Sequence, residues 1–355
     1  NTTGNYNTAV GSYSLSSNTT ASNNVAVGDN ALYDCTTGAN NTAVGMNALG
    51  DHTTSNDNVA VGYFSMRYNT TGQQNTAVGK GSLQTNTTGS YNVAIGDQAL
   101  EANTTAESNV AVGNNALNDN TTGSSNVAVG GNALDVNTTG DNNTAVGRNA
   151  LGANTTADNN TAVGRDALEA NTTGYDNTAV GHLAATAITT GIRNDAVGKG
   201  ALNALTTGNS NSAVGYYAGG ALTTGAYNVA IGRAALSTAT TSESNTAVGY
   251  NAAYSATIGN TNTSIGREAM YTNVAADRNT ALGYRSLYTM SRSTTADTYN
   301  VAVGNEAGYS CTTGAQIVAV GGNAARSSTT ADGIVAVGFE AAKDWVGSYS
   351  ITAIG

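Results

Sequence analysis

Residues 41–57 read NTAVGMNALGDHTTSND, and residues 58–74 read NVAVGYFSMRYNTTGQQ. Laid over one another they give the unit N-T-A-V-G-x-x-A-L-x-x-N-T-T-G-x-x, counted from its first Asn as position 0. The Gly of position 4 falls at Gly11, Gly28, Gly45 and onward in steps of 17 to Gly283. One step of 21 then leads to Gly304, and steps of 17 resume to Gly355, for 21 such glycines in all. A period this strict marks one structural unit copied along the chain. It divides the sequence into a regular stretch, 1–283, a coil carrying four extra residues, 284–303, and further regular coils, 304–355.

The unit is not helical. Two Gly positions, a Thr pair and several Asn give poor helix propensity throughout. The NTAVG and NTT segments are short, β-branched and bounded by Gly or Asn, as strands and turns are. The chain has no Pro, which suits a continuous parallel ladder whose interior strands must all donate their N–H groups. The expected fold is all-β, a parallel β-solenoid or β-roll with one 17-residue repeat per coil. At ~4.8 Å per coil its coils would stack to ~100 Å.

Composition sets the rest. Only 10% of the 355 residues are charged, and there are two Phe and one Trp. A lone thin coil buries too little apolar surface to offset the entropy of ordering it. Several chains packed about an axis, a homotrimer, are therefore expected. The net charge of −10 argues against nucleic acid or an anionic membrane as partner, since both need basic clusters. Apolar stretches are only a few residues long, too short to span a bilayer. The chain opens on Asn1 rather than Met, as a piece of a longer protein would.

Position 3 is Val, Ile or Leu in every copy and position 8 mostly Leu or Met; both are expected inside the coil. Position 2 is Ala in 20 of 21 copies, with Ser264 the exception, and is read as packing closely against a neighbouring chain. Position 0 is Asn from Asn7 to Asn300, then Ile317, Ile334 and Ile351. Such half-buried Asn amides can stack as a ladder. Position 11 is similar, and Asn18, Asn69, Asn86, Asn103, Asn120, Asn137, Asn154 and Asn171 each also begin an N-T-T glycosylation sequon. Free exchange with Ile and Leu favours the ladder over glycosylation.

Cys35 and Cys311 occupy the same position of repeats sixteen coils apart. At ~4.8 Å per coil they are ~75 Å from one another and cannot bridge within one chain; they read as inert replacements of Asn, or as thiols joining neighbouring chains. His52 and His182, the only two His, read as surface substitutions. No nucleophile elbow, Cys–His pairing or metal-ligand spacing is present. No catalytic residue, cofactor or metal is expected, and the chain is not read as an enzyme.

The NTAVGxxAL and NVAIGxxAL units resemble the head repeats of trimeric autotransporter adhesins of the YadA-like kind, and more closely the NTAVG/NTTG repeats of phage tail-fibre proteins. The resemblance covers almost the whole chain. It implies homotrimeric β-rolls outside the cell, on a virion or cell-surface fibre, serving as a rigid shaft or attaching to host or matrix glycans or to a protein receptor. Adhesin head repeats are usually shorter than 17 residues, a departure on this side.

Variable positions 5, 6, 9, 10, 15 and 16 carry most Tyr and charged residues and form the solvent face. Ten of the 18 Tyr lie between Tyr216 and Tyr309, and the four extra residues fall in the same stretch. A loop leaving a regular rod is a natural recognition element. Tyr284, Arg285, Tyr288, Arg292 and Tyr299 are the candidate glycan or receptor contacts. Two other readings are an ice-binding surface, built on the Thr pairs of positions 12 and 13, and a purely structural extracellular filament.

Overall fold

The computed structural model describes residues 1–347 and 349–355. It shows a parallel β-solenoid with one coil per repeat, in two units, 1–176 and 177–355. Each coil contributes a strand of three or four residues at positions 1–3, from Thr8–Val10 to Thr161–Val163 in the first unit and from Thr178–Val180 to Ile351–Ile354 in the second. Within a unit each main-ladder strand pairs in parallel with the next, position for position, at an offset of 17 residues and once of 21. Thr42 lies opposite Val59 and Ala43 opposite Ala60 in one unit, and Ser212 opposite Val229 in the other.

The strand's two faces are the reverse of the sequence-based expectation. Position 2 points inward: Ala43, Ala60, Ala94 and Ala128 are fully buried. Position 3 points out, with Val44 36% exposed, Ile95 40% and Val214 42%. Successive strand residues alternate between faces, so only one set can face the core. The coil interior already holds position 8 (Leu32, Leu49, Met66 and Leu134, all at 0% exposure), the Ala of position 7 and two Asn side chains. A methyl group fits opposite them, and a Val does not. The invariance of Ala does report close packing, but against its own coil.

The turn after the strand is fixed by its Gly. Gly28 has φ 135°, and a Cβ on it would lie 2.6 Å from the carbonyl oxygen of Gly45 in the next coil. Positions 6, 8 and 16 are left-handed and in most coils are not Gly; Asn47, Leu49 and Asp57 have φ of 55°, 49° and 63°. A left-handed Leu costs on the order of 1–2 kcal/mol. In return Leu49 is fully buried and its N–H donates to the Ser65 carbonyl one coil on at 3.1 Å, while Asn47 N–H donates one coil back to Asp29 at 2.9 Å. Backbone hydrogen bonds thus join neighbouring coils through the turns as well as the strands.

Two Asn columns close the coil. At position 0, Oδ1 of Asn24 accepts the Asn41 N–H of the next coil at 2.8 Å, and its Nδ2 donates to the Gly38 carbonyl at position 14, 2.8 Å away. At position 11, Asn86 Nδ2 donates to Asn69 Oδ1 at 2.8 Å and to Gly89 O at 2.9 Å. Both columns converge on position 14: the Gly72 carbonyl accepts from Asn58 at 3.0 Å and from Asn69 at 2.9 Å.

The four extra residues leave the main ladder intact. Thr280 pairs with Val301 across 21 residues, as Thr263 does with Thr280 across 17. The surplus is taken up between Ser291 and Thr298, where Ala296–Asp297 forms a short parallel pair with Ala276–Asp277.

Candidate functional site

Side chains that share one position in successive coils build a surface on the second unit. Position 5 runs Lys199, Tyr216, Arg233, Tyr250, Arg267, Tyr284, a strict alternation of cation and ring. The Lys199 ammonium sits 5.8 Å from the Tyr216 ring. Arg233 lies 5.7 Å from Tyr216 and 5.8 Å from Tyr250, and Arg267 5.7 Å from both Tyr250 and Tyr284. Beside it, position 9 stacks Tyr254, Tyr271, Tyr288 and Tyr309 with centroids 5.1–5.2 Å apart and planes within 9° of parallel. Arg326 continues that stack, 5.1 Å from the Tyr309 ring.

Between the two columns lies a groove of about 330 Å³, walled by Tyr216, Arg233 and Tyr250 on one side and Tyr254 and Tyr271 on the other, with Ala234 and Asn251 of position 6 among its lining. Further on, position 6 changes to Glu268 and Arg285. Glu268 is 8% exposed, with Oε2 2.6 Å from Arg285 Nε and Oε1 3.3 Å from Arg267 Nη2. The Arg285 hydrogen bond, followed by Arg267, holds its carboxyl below the ordinary carboxylate range against the opposing effect of burial. Burial, helped by the Glu268 charge, raises the Tyr288 phenol above its ordinary value.

The structure brings three of the five sequence candidates together. Arg285 lies 4.9 Å from the Tyr284 ring and 5.2 Å from that of Tyr288. The other two are elsewhere. Arg292 donates through Nη2 to the Thr313 carbonyl, and Tyr299 belongs to a separate cluster in which Arg278 Nη1 is 2.6 Å from both the Tyr299 hydroxyl and Asp297 Oδ2. Lys199, Tyr216, Arg233, Tyr250 and Arg267 were not among the candidates. The signal that finds them is the alternation within one position, which a count of Tyr along the chain averages away.

All eight sequon asparagines are buried, Asn18 at 2% exposure and the other seven at 0%. Their amides are engaged in the ladder, so a glycan on Nδ2 is incompatible with this packing. Cys35 and Cys311 are fully buried in the same position, their thiols 3.3 and 3.7 Å from the carbonyls of Gly38 and Gly314. Burial pushes their pKa values up to about 11 and about 12. His182 is partly exposed, but His52 is not the surface substitution expected of it: at 0% exposure it fills position 11, with Nδ1 2.7 Å from Ser55 Oγ and Nε2 3.3 Å from Asn41 Nδ2. The position-12 hydroxyls are also committed, Thr87 Oγ1 donating to Thr104 O at 3.0 Å and Thr223 to Thr240 at 3.0 Å.

Comparison with family models, with curated proteins and with solved structures finds no match to this chain.

Proposed function

We propose that this chain is a segment of an extracellular fibre, on a virion or a cell surface, which assembles as a homotrimer and combines rigid extension with attachment to host or matrix glycans. The observation that carries the reading is the outward aliphatic stripe. Position 3 exposes one Val, Ile or Leu per coil: Val78, Ile95, Val129 and Val146 in the first unit are 36–40% exposed, and Val197, Ile231 and Leu282 in the second 39–45%. A monomeric surface rarely carries so regular an apolar row, and such rows mark association surfaces. Further copies meeting it in register would bury the stripe, and closed symmetry would end the assembly at a small number of chains. The buried Ala, Leu and Asn set leaves each coil thin, which is the physical reason a single chain gains from partners.

Native mass measurement tests the assembly. Three chains per particle are expected, and a monomer at micromolar concentration would remove the proposal. Replacing Val112, Val129 and Val146 by Asp should yield monomers with an unchanged β spectrum, because these side chains do not enter the coil. Within the first unit, position 13 also presents a row of exposed threonines, Thr71, Thr88, Thr105 and Thr122 among them. It supports a second reading, an ice-ordering surface, for which purified protein should show thermal hysteresis.

A further inference from the structure

We infer that the groove between the position-5 and position-9 columns of the second unit binds a linear acidic polysaccharide with a carboxylate on every second sugar. The inference deepens the attachment part of the proposed function and rests on it.

The first ground is charge placement. The 355-residue chain carries 23 acids and 13 bases. Residues 1–176 hold fourteen of the acids and four of the bases, whereas residues 177–355 hold nine of each. The bases are therefore concentrated in the unit that carries the groove. Arg233 and Lys199 have no carboxylate partner among the described residues, and their nearest aromatic contacts, at 5.7–5.8 Å, lie near the outer limit of a cation–π interaction. These cations keep their hydrogen-bonding capacity for a ligand, and a guanidinium fork matches a carboxylate bidentately.

The second ground is spacing. The stacked position-9 rings show a coil step of 5.1–5.2 Å. Because cation and ring alternate along position 5, charges of one sign recur every second coil, ~10 Å apart. That is close to the length of two extended pyranose rings, so a polymer lying along the groove meets one cation per disaccharide. The ring between two cations has charged groups on both sides and stays open to solvent: Tyr216 is 47% exposed and Tyr250 41%. Recognition therefore runs through Tyr hydroxyls and Arg N–H groups, not through stacking of a sugar on a ring face. Further along the column Glu268 engages both Arg285 and Arg267, so Lys199 and Arg233 are the cations left open to the polymer.

Binding of hyaluronan oligosaccharides to the full chain, measured by calorimetry, tests this, with carboxyl-reduced hyaluronan as the matched neutral probe. Saturable binding to the first and none to the second is expected. Arg233→Gln should weaken it by roughly tenfold or more, the loss of one charge-assisted contact, while Arg148→Gln, in the first unit, should leave it unchanged. Melting curves of both variants confirm folding. Equal binding to the two probes, no binding to hyaluronan, or an unaffected Arg233→Gln variant would each overturn the inference. The groove belongs to one chain, so the assay is independent of the assembly measurement: a trimer that ignores hyaluronan defeats only this inference, and a monomer that binds it defeats only the trimer.

Discussion

At the scale of single residues, His52 shows what position 11 demands. In the neighbouring coils from Asn69 to Asn171 an Asn amide there both donates and accepts, and imidazole can do so only while neutral. A second ring proton would set an N–H against the Asn41 amide donor, 3.3 Å from Nε2, inside a fully buried site. Burial, partly offset by the Ser55 contact, lowers the His52 pKa from 6.5 to about 4. The neutral side chain's contribution is whole above pH 6.5. It is lost as pH falls, because the unfolded chain takes up the proton first, and the loss is complete once pH has passed below about 4. It amounts to about 3 kcal/mol. The wild type should therefore melt at a lower temperature at pH 4 than at pH 7, and His52→Asn should remove most of that difference. An equal pH dependence in the two proteins would show that His52 is not its source.

At the scale of the coil, the ladder and the orientation of its strands rest on different information. The 17-residue step, the 21-residue exception and the position-8 core were legible in the sequence, because a periodic chain with turn-forming Gly and Asn has few ways to fold. The direction of the strand faces was not. Val is the larger hydrophobe and would ordinarily be assigned to the core, yet Ala128 is fully buried while Val129 is 37% exposed. Cross-section decides it: with Leu134 and the Asn columns inside, there is no volume left for a second branched side chain. Ala128→Val should therefore overpack the coil and cost about 1–3 kcal/mol, whereas Val129→Thr should change monomer stability by no more than about 0.5 kcal/mol. Chemical denaturation of the two variants distinguishes the orientations, since the opposite arrangement reverses the order. The candidate site was half legible for a related reason: Tyr284, Arg285 and Tyr288 stood out beside the extra residues, but Arg233 and Tyr250 acquire meaning only once coils are stacked.

At the scale of the whole chain, the coils from Asn58 to Asn171 offer their neighbours nearly the same donors, acceptors and methyl groups. Stability is then a sum over coils and their junctions. Deleting residues 126–142, one complete repeat, joins Ser125 to Asn143 and restores the junction it removes. That variant should keep its β spectrum and melt within a few degrees of the parent. Deleting residues 126–134 joins unlike positions and should abolish cooperative melting of the first unit. The four extra residues after Ser291 obey the same rule, since they are absorbed outside the ladder and Thr280 still meets Val301.

The direction of the hydrogen bonds has a mechanical consequence. Within each unit the bonds between coils lie along the stacking direction, so a pull along it loads one junction at a time instead of shearing a whole ladder. Each coil released frees 17 residues, on the order of 55–60 Å of contour, in place of the ~5 Å it occupied while stacked. Under tension such a chain lengthens in equal steps and dissipates work at each one. What resists bending as a stack of coils gives way under a pull as a series of small, repeatable fuses.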